Sequence, residues 1–313
     1  MKKIVYILIV ASLLYSCALS ETQIKAANQF AETSKNFSQY PSKIFTVLAD
    51  IREKRAIYNA NFNYDNPEQF IGELDDAYDE KKRNYKFSEK TDLTFKIIDK
   101  YAQSLLLLTS DKYTTDLEKQ SKVFGNDIDS LISKYNNISG VTKIPTGIGG
   151  LVGQLVMFGG KLYIQNQQGI RVKKYVPIAD ALIEKMTDNM TNFLTNKIYL
   201  EATGDSISIE TLIDNEKEGL NLSYQAYLLA CKKLHLLPEL ESEKEYLALR
   251  NDLDNLKELL SQTRKAVKGL RQAHSNLLKA IQEKKNLKDC IKELQSYYED
   301  VKGIYETIQK IDQ

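Results

Sequence analysis

Apolar residues recur every three or four positions along most of this chain, a spacing that places side chains on one face of an α-helix. No stretch alternates apolar and polar residues for long enough to indicate a β-strand. The pattern predicts an all-α protein, and we expect an elongated helical bundle with a long C-terminal antiparallel coiled-coil hairpin. No sequence repeat of fixed period is evident, so a repeat solenoid is not expected.

Capping residues and prolines predict where individual helices begin and end. The residues at 66–69 supply a cap, a proline and a glutamine in the order typical of a helix start, and this helix is expected to reach about Tyr85. A further long helix is predicted over about 88–135. Since proline disfavours helix at the residue before it, Pro177 is expected to separate a helix from the apolar segment that precedes it.

The clearest helical pattern follows Pro238, where apolar residues alternate steps of three and four over five heptads and predict a coiled-coil seam. The seam residues are Leu249, Leu253, Leu256, Leu260, Val267, Leu270, Leu277 and Ile281. A second run, from Leu287 to Ile308, is out of phase with the seam by three residues around 283–286. We expect the helix to reverse there, whereas a continuous helix would leave an apolar stripe that favours a homodimer through the coiled coil.

Several aromatic and charged side chains fall on particular faces of these helices. The tyrosines at core positions are Tyr101, Tyr135, Tyr246, Tyr298 and Tyr305. His274 occupies a position in the seam, where we expect a core histidine with satisfied hydrogen bonds and consider pH sensing as an alternative. Arg264, Lys268 and Arg271 line one face of the same helix, which we interpret as a stripe exposed to solvent, with a site for an acidic partner as the alternative.

The most unusual segment after the N-terminus is 144–160, which holds no charged residue. Its glycines are Gly147, Gly149, Gly150, Gly153, Gly159 and Gly160. As part of a buried Gly-rich apolar helix over 144–164, they would let a neighbouring backbone approach closely. The alternative is conditional membrane insertion, as in pore-forming proteins, because the segment as a helix spans about 26 Å of a bilayer core about 30 Å thick. A dinucleotide-binding fingerprint is excluded, since Val152 replaces the last glycine of that motif.

Composition argues against several classes of protein. Lys and Arg number 43 against 42 Asp and Glu, and this balance argues against a nucleic-acid binder that neutralises phosphates. The chain has two histidines, neither of which lies at a metal-ligand spacing from carboxylates. No G-x-S-x-G nucleophile motif is present. We therefore expect no metal, no cofactor and no catalytic residues.

The N-terminus carries two lysines and an uncharged run over 4–14, as in a secretory signal peptide. The residues that follow, Leu14-Tyr15-Ser16-Cys17, resemble the lipobox of bacterial lipoproteins, with an apolar residue three before the cysteine and a small residue directly before it. The resemblance implies removal of a signal peptide 1–16 and acylation of Cys17, including palmitate. Two or more acyl chains anchor a protein durably. Because Ala18 follows the cysteine, the resemblance implies a place in the cell envelope, in the outer membrane rather than the inner.

The other two cysteines, Cys231 and Cys290, would then lie in a compartment where disulfides form. A helix of about 45 residues after Pro238 carries the chain about 65 Å before Cys290 is reached, whereas a disulfide needs Cα atoms within about 7 Å. We therefore expect two half-buried free thiols.

Together these observations predict three parts of the chain. They are the signal peptide 1–16, a helical bundle over 17–238 that includes the Gly-rich helix, and coiled-coil helices over 239–313. The expected function is binding or scaffolding without catalysis, with the membrane as one partner through the lipid on Cys17 and an unidentified envelope protein as another. The alternatives are a membrane-active protein that inserts 144–160 and, second, an enzyme of unknown class.

Overall fold

The computed structural model describes residues 19–40, 42–60, 66–109, 115–137, 164–195, 198–199, 206–283 and 287–311. These residues are helical apart from short connections and one pair of two-residue strands, so the predicted all-α helical bundle is confirmed. The helices are α1 (Glu21–Phe37), α2 (Lys43–Ala60), α3 (Pro67–Thr109), α4 (Thr115–Asn136), α5 (Ile164–Thr195), α6 (Ile209–Leu234), α7 (Leu240–Glu283) and α8 (Leu287–Ile311). The strands β1 (Ile198–Tyr199) and β2 (Ser206–Ile207) pair in antiparallel register.

The chain folds into two compact units. Unit 1 comprises the described residues within 1–39, 93–189 and 266–301. Unit 2 comprises the described residues within 40–92, 190–265 and 302–313. Each unit therefore takes residues from both sides of residue 238, where the sequence places the boundary between the bundle and the coiled coil.

Capping side chains explain where α1 and α3 begin. The Ser20 hydroxyl accepts a hydrogen bond from the N–H of Gln23 at 3.2 Å, and the Gln23 side chain accepts one from the N–H of Ser20 at 2.8 Å. This reciprocal pair is a capping box, which satisfies two donors that the helix leaves unpaired. At α3 the predicted cap is confirmed, because the Asn66 side chain accepts from the N–H of Gln69 at 3.3 Å.

Helix α3 is longer than the sequence predicts. The predicted break near Tyr85 is wrong, because α3 continues to Thr109 and the next helix begins at Thr115. No proline or glycine lies within 73–109, so no residue removes a backbone donor or favours a left-handed turn there. The further helix predicted to begin at about residue 88 is therefore, up to Thr109, a continuation of α3.

Pro177 lies inside α5 instead of separating two elements, so this prediction is also wrong. Proline within a helix removes one backbone hydrogen bond and costs about 3 kcal/mol. The side chains around it are completely buried in unit 1, namely Tyr175, Val176 and Ala179. Burial of this stretch offsets the local cost, which is a tertiary effect that the residue type alone does not reveal.

The core of unit 1 is built around aromatic side chains. Phe30 of α1 lies edge-on to Tyr101 of α3, with ring centroids 6.3 Å apart, and 6.2 Å from Tyr297 of α8. Further along α1, the Phe37 ring lies 5.1 Å from Phe95 and 6.0 Å from Tyr297. All five rings are buried, so these contacts fix α1 between α3 and α8.

The tyrosine positions are predicted correctly in part. Tyr101 and Tyr135 are buried as expected, and Tyr246 is half-buried. Tyr298 and Tyr305 are 43% and 47% exposed, so their assignment to the core is wrong. The buried residues of α8 are Cys290, Leu294, Tyr297, Val301, Ile304, Thr307 and Ile308. Tyr297 and Tyr298 are adjacent, so only one of them can lie on the buried face of α8. Tyr297 lies there because its ring contacts Phe30 and Phe37 of α1.

The eight residues of the predicted seam in α7 are all buried. In unit 2, Gln262 of α7 accepts a hydrogen bond from Thr307 of α8 at 2.9 Å, and Lys310 lies 3.4 Å from Glu258. As the residue number rises along α8 it falls along α7, so the two helices run antiparallel in this unit. The expected reversal falls on 283–286, most of which lies outside the described residues, so the hairpin turn stays a prediction.

The first described residues are held tightly within unit 1. Leu19 is 7% exposed and packs on Gly169 of α5, where a Cβ would lie 2.7 Å from the Leu19 backbone nitrogen. The Gln23 side-chain amide donates to the carbonyl of Ala280 in α7 at 2.5 Å. The chain is therefore fixed to α5 and α7 from residue 19 onward.

Replacing Gly169 with alanine is expected to lower the free energy of unfolding by about 1–3 kcal/mol, because the added methyl meets backbone that is already in contact. Gly72 of α3 is a matched control, since a Cβ there meets nothing within 4 Å. Gly72→Ala should stabilise the protein by about 0.5–1 kcal/mol, the usual gain of alanine over glycine in a helix. Urea unfolding measures both variants, and equal shifts would contradict the close packing of Leu19 on α5.

Candidate functional site

Part of the predicted site lies outside the described residues. This holds for the acylated Cys17 and for the six glycines of 144–160, so both stay predictions. Within the described ranges, no group of three or more His, Cys, Asp or Glu side chains is placed to hold a metal ion. None of the described helices is both long and apolar enough to cross a bilayer.

The most exposed large apolar side chains of unit 2 include a cluster at the connection between α6 and α7. Leu237 is 89% exposed, and Leu240 at the start of α7 is 65% exposed. Leu234 and Leu236, at the end of α6, are each 60% exposed. We call these four residues the leucine tip.

The connection that carries the leucine tip is ordered by hydrogen bonds. Helix α6 ends at His235, whose backbone is left-handed with φ 56°. Its N–H donates to the carbonyl of Lys232 at 3.3 Å, and the N–H of Leu236 donates to the carbonyl of Cys231 at 2.9 Å. These two bonds form a Schellman motif, which satisfies carbonyls at the helix end.

Tyrosines of α6 brace the other side of the connection. The N–H of Glu239 donates to the Tyr227 hydroxyl at 2.7 Å. Tyr224 stacks on Tyr246 of α7 with ring centroids 4.2 Å apart, and the Tyr246 hydroxyl donates to the side chain of Asn221 at 2.7 Å. The leucine tip thus projects from a braced pair of helix ends.

Charges of both signs flank the leucine tip. Lys232 and Lys233 lie in the last turn of α6, and Glu241 and Glu243 lie in the first turn of α7. Each pair also complements the dipole of its own helix. The surface therefore combines an apolar centre with a mixed-charge rim, as binding surfaces between proteins do.

Sequence reasoning missed the leucine tip because it used Pro238 only to mark where the coiled-coil pattern begins. The available signal was a connection with four leucines, where surface connections are usually polar. Exposed apolar clusters with polar surroundings are typical of interaction sites. Chemically, the leucine tip can bury apolar area against a partner, and it holds no nucleophile or general base.

Unit 1 contains a buried polar network centred on His274 of α7. The Nε2 atom lies 2.8 Å from the Tyr101 hydroxyl of α3, and Nδ1 lies 3.0 Å from a carboxylate oxygen of Asp180 of α5. With Asp180 ionised, the Nδ1–H group of His274 donates a hydrogen bond to the carboxylate, and Nε2 accepts one from the Tyr101 hydroxyl. His274 is 1% exposed and lies 5.4 Å from the Phe30 ring. The expected core histidine therefore has partners on both ring nitrogens.

The surroundings shift the pKa values of two members of this network, Asp180 and Tyr101. The hydrogen bond from His274 lowers the pKa of Asp180, although partial burial opposes the shift. Burial raises the pKa of Tyr101 well above its ordinary value. Neither the Tyr101 hydroxyl nor the imidazole is open to solvent, so a substrate cannot reach them in this structure. The network holds three helices together through polar contacts.

Unit 2 contains a second buried polar group, the Glu216 carboxylate of α6. Its two oxygens lie 2.8 Å from Nε of Arg52 and 2.7 Å from Nε of Arg55, both in α2. The Glu216 side chain is 4% exposed, against 12% for Arg52 and 23% for Arg55. Further along the same two helices, the Ser223 hydroxyl of α6 donates a short hydrogen bond to the side chain of Asn59 of α2. These contacts fix the register of α6 on α2.

Both described cysteines are free, as the sequence predicts, and both are buried more fully than expected. Burial raises the pKa of the Cys290 thiol to about 11. A protonated and buried thiol is a poor nucleophile. We therefore assign Cys290 a packing role in the core of unit 1, where it is completely buried.

Comparison of this chain with known proteins finds no match among family models, curated proteins or solved structures.

Proposed function

We propose that this protein is a lipid-anchored binding or scaffolding module of the bacterial cell envelope that engages a partner protein through the leucine tip. The observation that carries the binding role is the exposure of four leucines on a connection that hydrogen bonds hold in place. The anchoring role is supported by the resemblance of residues 14–17 to a lipobox. Ala18 after the cysteine favours the outer membrane.

An apolar surface on another envelope protein is the partner that suits the leucine tip. Complete burial of a leucine side chain contributes about 1.5–3 kcal/mol, so a few of them supply much of a typical binding energy before the cost of association. Lysines and glutamates around the tip can pair with charges at the rim of the partner. His274, the histidine that pairs with a carboxylate, is buried, and this proposal assigns it no catalytic role.

Site-specific photocrosslinking in intact cells tests the binding role. Benzoylphenylalanine replaces Leu237 in the full chain, and the matched control places it at Tyr78 of α3, which is 64% exposed against 89% for Leu237. We expect a discrete adduct from position 237 and none from position 78. An additional Leu240→Asp substitution should abolish the adduct while the helix content stays unchanged.

The same experiment separates the other possibilities. An adduct of twice the chain mass would show that the partner is a second copy of this chain and not another envelope protein. The absence of a specific adduct at residue 237 would refute the binding role of the leucine tip. Mass spectrometry of the mature N-terminus tests anchoring independently. It should find an acylated Cys17, and Cys17→Ser should remove the lipid.

A membrane-active protein is the second candidate function, favoured by the uncharged, glycine-containing segment 144–160. Dye release from anionic liposomes tests it on residues 18–313 beside the Gly149→Asp, Gly153→Asp variant. Leakage caused by the parent and not by a folded variant would favour this function over scaffolding. No association with liposomes across pH and salt would exclude it.

A further inference from the structure

We propose that unit 1 is moored directly on the membrane surface, with the residues around the Leu19 contact facing the phospholipid headgroups. The inference rests on the proposed acylation of Cys17 and adds the orientation of unit 1 on the bilayer. The surface is assigned by two observations: Leu19, two residues after Cys17 in the sequence, packs on α5, and Gln23 is hydrogen-bonded to α7.

Leu19 lies two residues after the proposed anchor in the sequence and is part of the packed structure of unit 1. Leu19 is 7% exposed, and its backbone nitrogen is so close to Gly169 that a Cβ there would lie 2.7 Å away. Gln23, itself 4% exposed, bonds through its side chain to the carbonyl of Ala280 at 2.5 Å. Together with the Ser20 capping box, these contacts fix the position of the chain from residue 19 onward.

The two-residue connection from Cys17 to Leu19 is no longer than the headgroup layer is thick. Two residues span at most about 7 Å even when fully extended. The headgroup region on each side of a bilayer is about 5–8 Å thick, from a total of about 40–45 Å and a hydrocarbon core of about 30 Å. With its acyl chains in the hydrocarbon, Cys17 therefore holds Leu19 within the headgroups or at their outer edge.

The same restraint places two helices at the membrane surface. Helix α5 contacts Leu19 at Gly169, and the C-terminal end of α7 contacts Gln23 at Ala280. A flexible linker of 20 residues would instead allow a separation of about 25 Å. Moored in this way, unit 1 presents a fixed side to the bilayer, whereas a tethered domain would tumble above it.

The side chains near this contact are compatible with a headgroup layer. Ile170 follows Gly169 and is 39% exposed, and Lys174 lies one turn further along α5 and is exposed. An apolar side chain with a neighbouring lysine suits the boundary between acyl chains and anionic phosphates. The exposed carboxylate of Glu21 in α1 is paired with Lys25 at 2.7 Å, which offsets its charge.

Contact quenching on vesicles tests the mooring. The full lipidated chain with Ile170→Cys carries a fluorophore at residue 170 and is reconstituted in vesicles of phosphatidylethanolamine and phosphatidylglycerol, with a nitroxide on a fraction of the headgroups. The parent chain with its buried Cys231 and Cys290 gives the background labelling. The matched variant carries ten added Gly and Ser residues between Ala18 and Leu19, a change that alters no described contact.

We expect strong quenching at residue 170 in the directly anchored chain and a several-fold loss of quenching in the chain with the added linker. Equal quenching in both chains, with acylation of Cys17 shown by mass spectrometry, would overturn the mooring and leave the proposed anchoring intact. A mature N-terminus without acyl groups would overturn the anchoring and the mooring together. Circular dichroism of the linker variant confirms that its helices are retained.

Discussion

Replacing Glu216 with alanine is expected to lower the free energy of unfolding by about 3–5 kcal/mol. The carboxylate is 4% exposed and lies within 2.8 Å of guanidinium nitrogens of both Arg52 and Arg55. Without it, two cations that are largely removed from water would lose the carboxylate that both of them contact. Urea unfolding followed by circular dichroism measures the loss.

Asp214 provides the matched control for this prediction, because it is also an ion-paired carboxylate of α6. Its partner Lys257 lies 2.8 Å away, but the two side chains are 51% and 46% exposed. Exposed pairs contribute at most about 1 kcal/mol, so Asp214→Ala should change the unfolding midpoint little. If both substitutions cost the same, burial would not be what makes the Glu216 contact important.

Replacing His274 with alanine is expected to destabilise unit 1 by about 3–5 kcal/mol. The substitution opens a cavity beside Phe30 and removes the partner of the Tyr101 hydroxyl, which is completely buried. It also removes the hydrogen bond that holds the pKa of Asp180 low. Thermal and urea unfolding at neutral pH measure the effect.

A double-mutant cycle separates the hydrogen bond from the cavity. Tyr101→Phe alone keeps the ring and should cost about 1–3 kcal/mol, because Nε2 of His274 loses its donor. In the double variant the phenyl ring leaves no buried hydroxyl without a partner, so the combined cost should be smaller than the sum by at least about 0.5 kcal/mol. Strictly additive costs would show that the two side chains contribute independently.

Helical periodicity was sufficient to predict the class of fold and the buried face of α7. An apolar side chain every three or four residues can be hidden only if those residues are helical, and this constraint is local. The start of α3 at Asn66 was predictable for the same reason, since capping involves residues three apart. The length of α3 and the continuity of α5 through Pro177 were not, because packing against distant residues outweighs local propensity.

The polar contacts depend on helix pairing and were predicted incompletely. The interpretation of Arg264, Lys268 and Arg271 as a solvated stripe holds for Lys268, which is exposed, but it missed that both arginines pair with carboxylates of another helix. Arg264 lies 3.0 Å from Glu210, and Arg271 lies 2.7 Å from Glu184. Their acidic partners are 54 and 87 residues away in the sequence, and no pattern along one helix identifies them.

The helical class of this protein, the buried residues of α7 and the resemblance of its N-terminus to a lipoprotein signal can all be read from the sequence. These properties follow from spacing over a few residues. Three other features depend on the packing of helices against each other: His274 joins Tyr101 to Asp180, Leu19 is held on Gly169, and the leucine tip stays exposed. The physical reason is that burial and pairing depend on which helices become neighbours, and that choice is made by the summed packing of residues far apart in the chain.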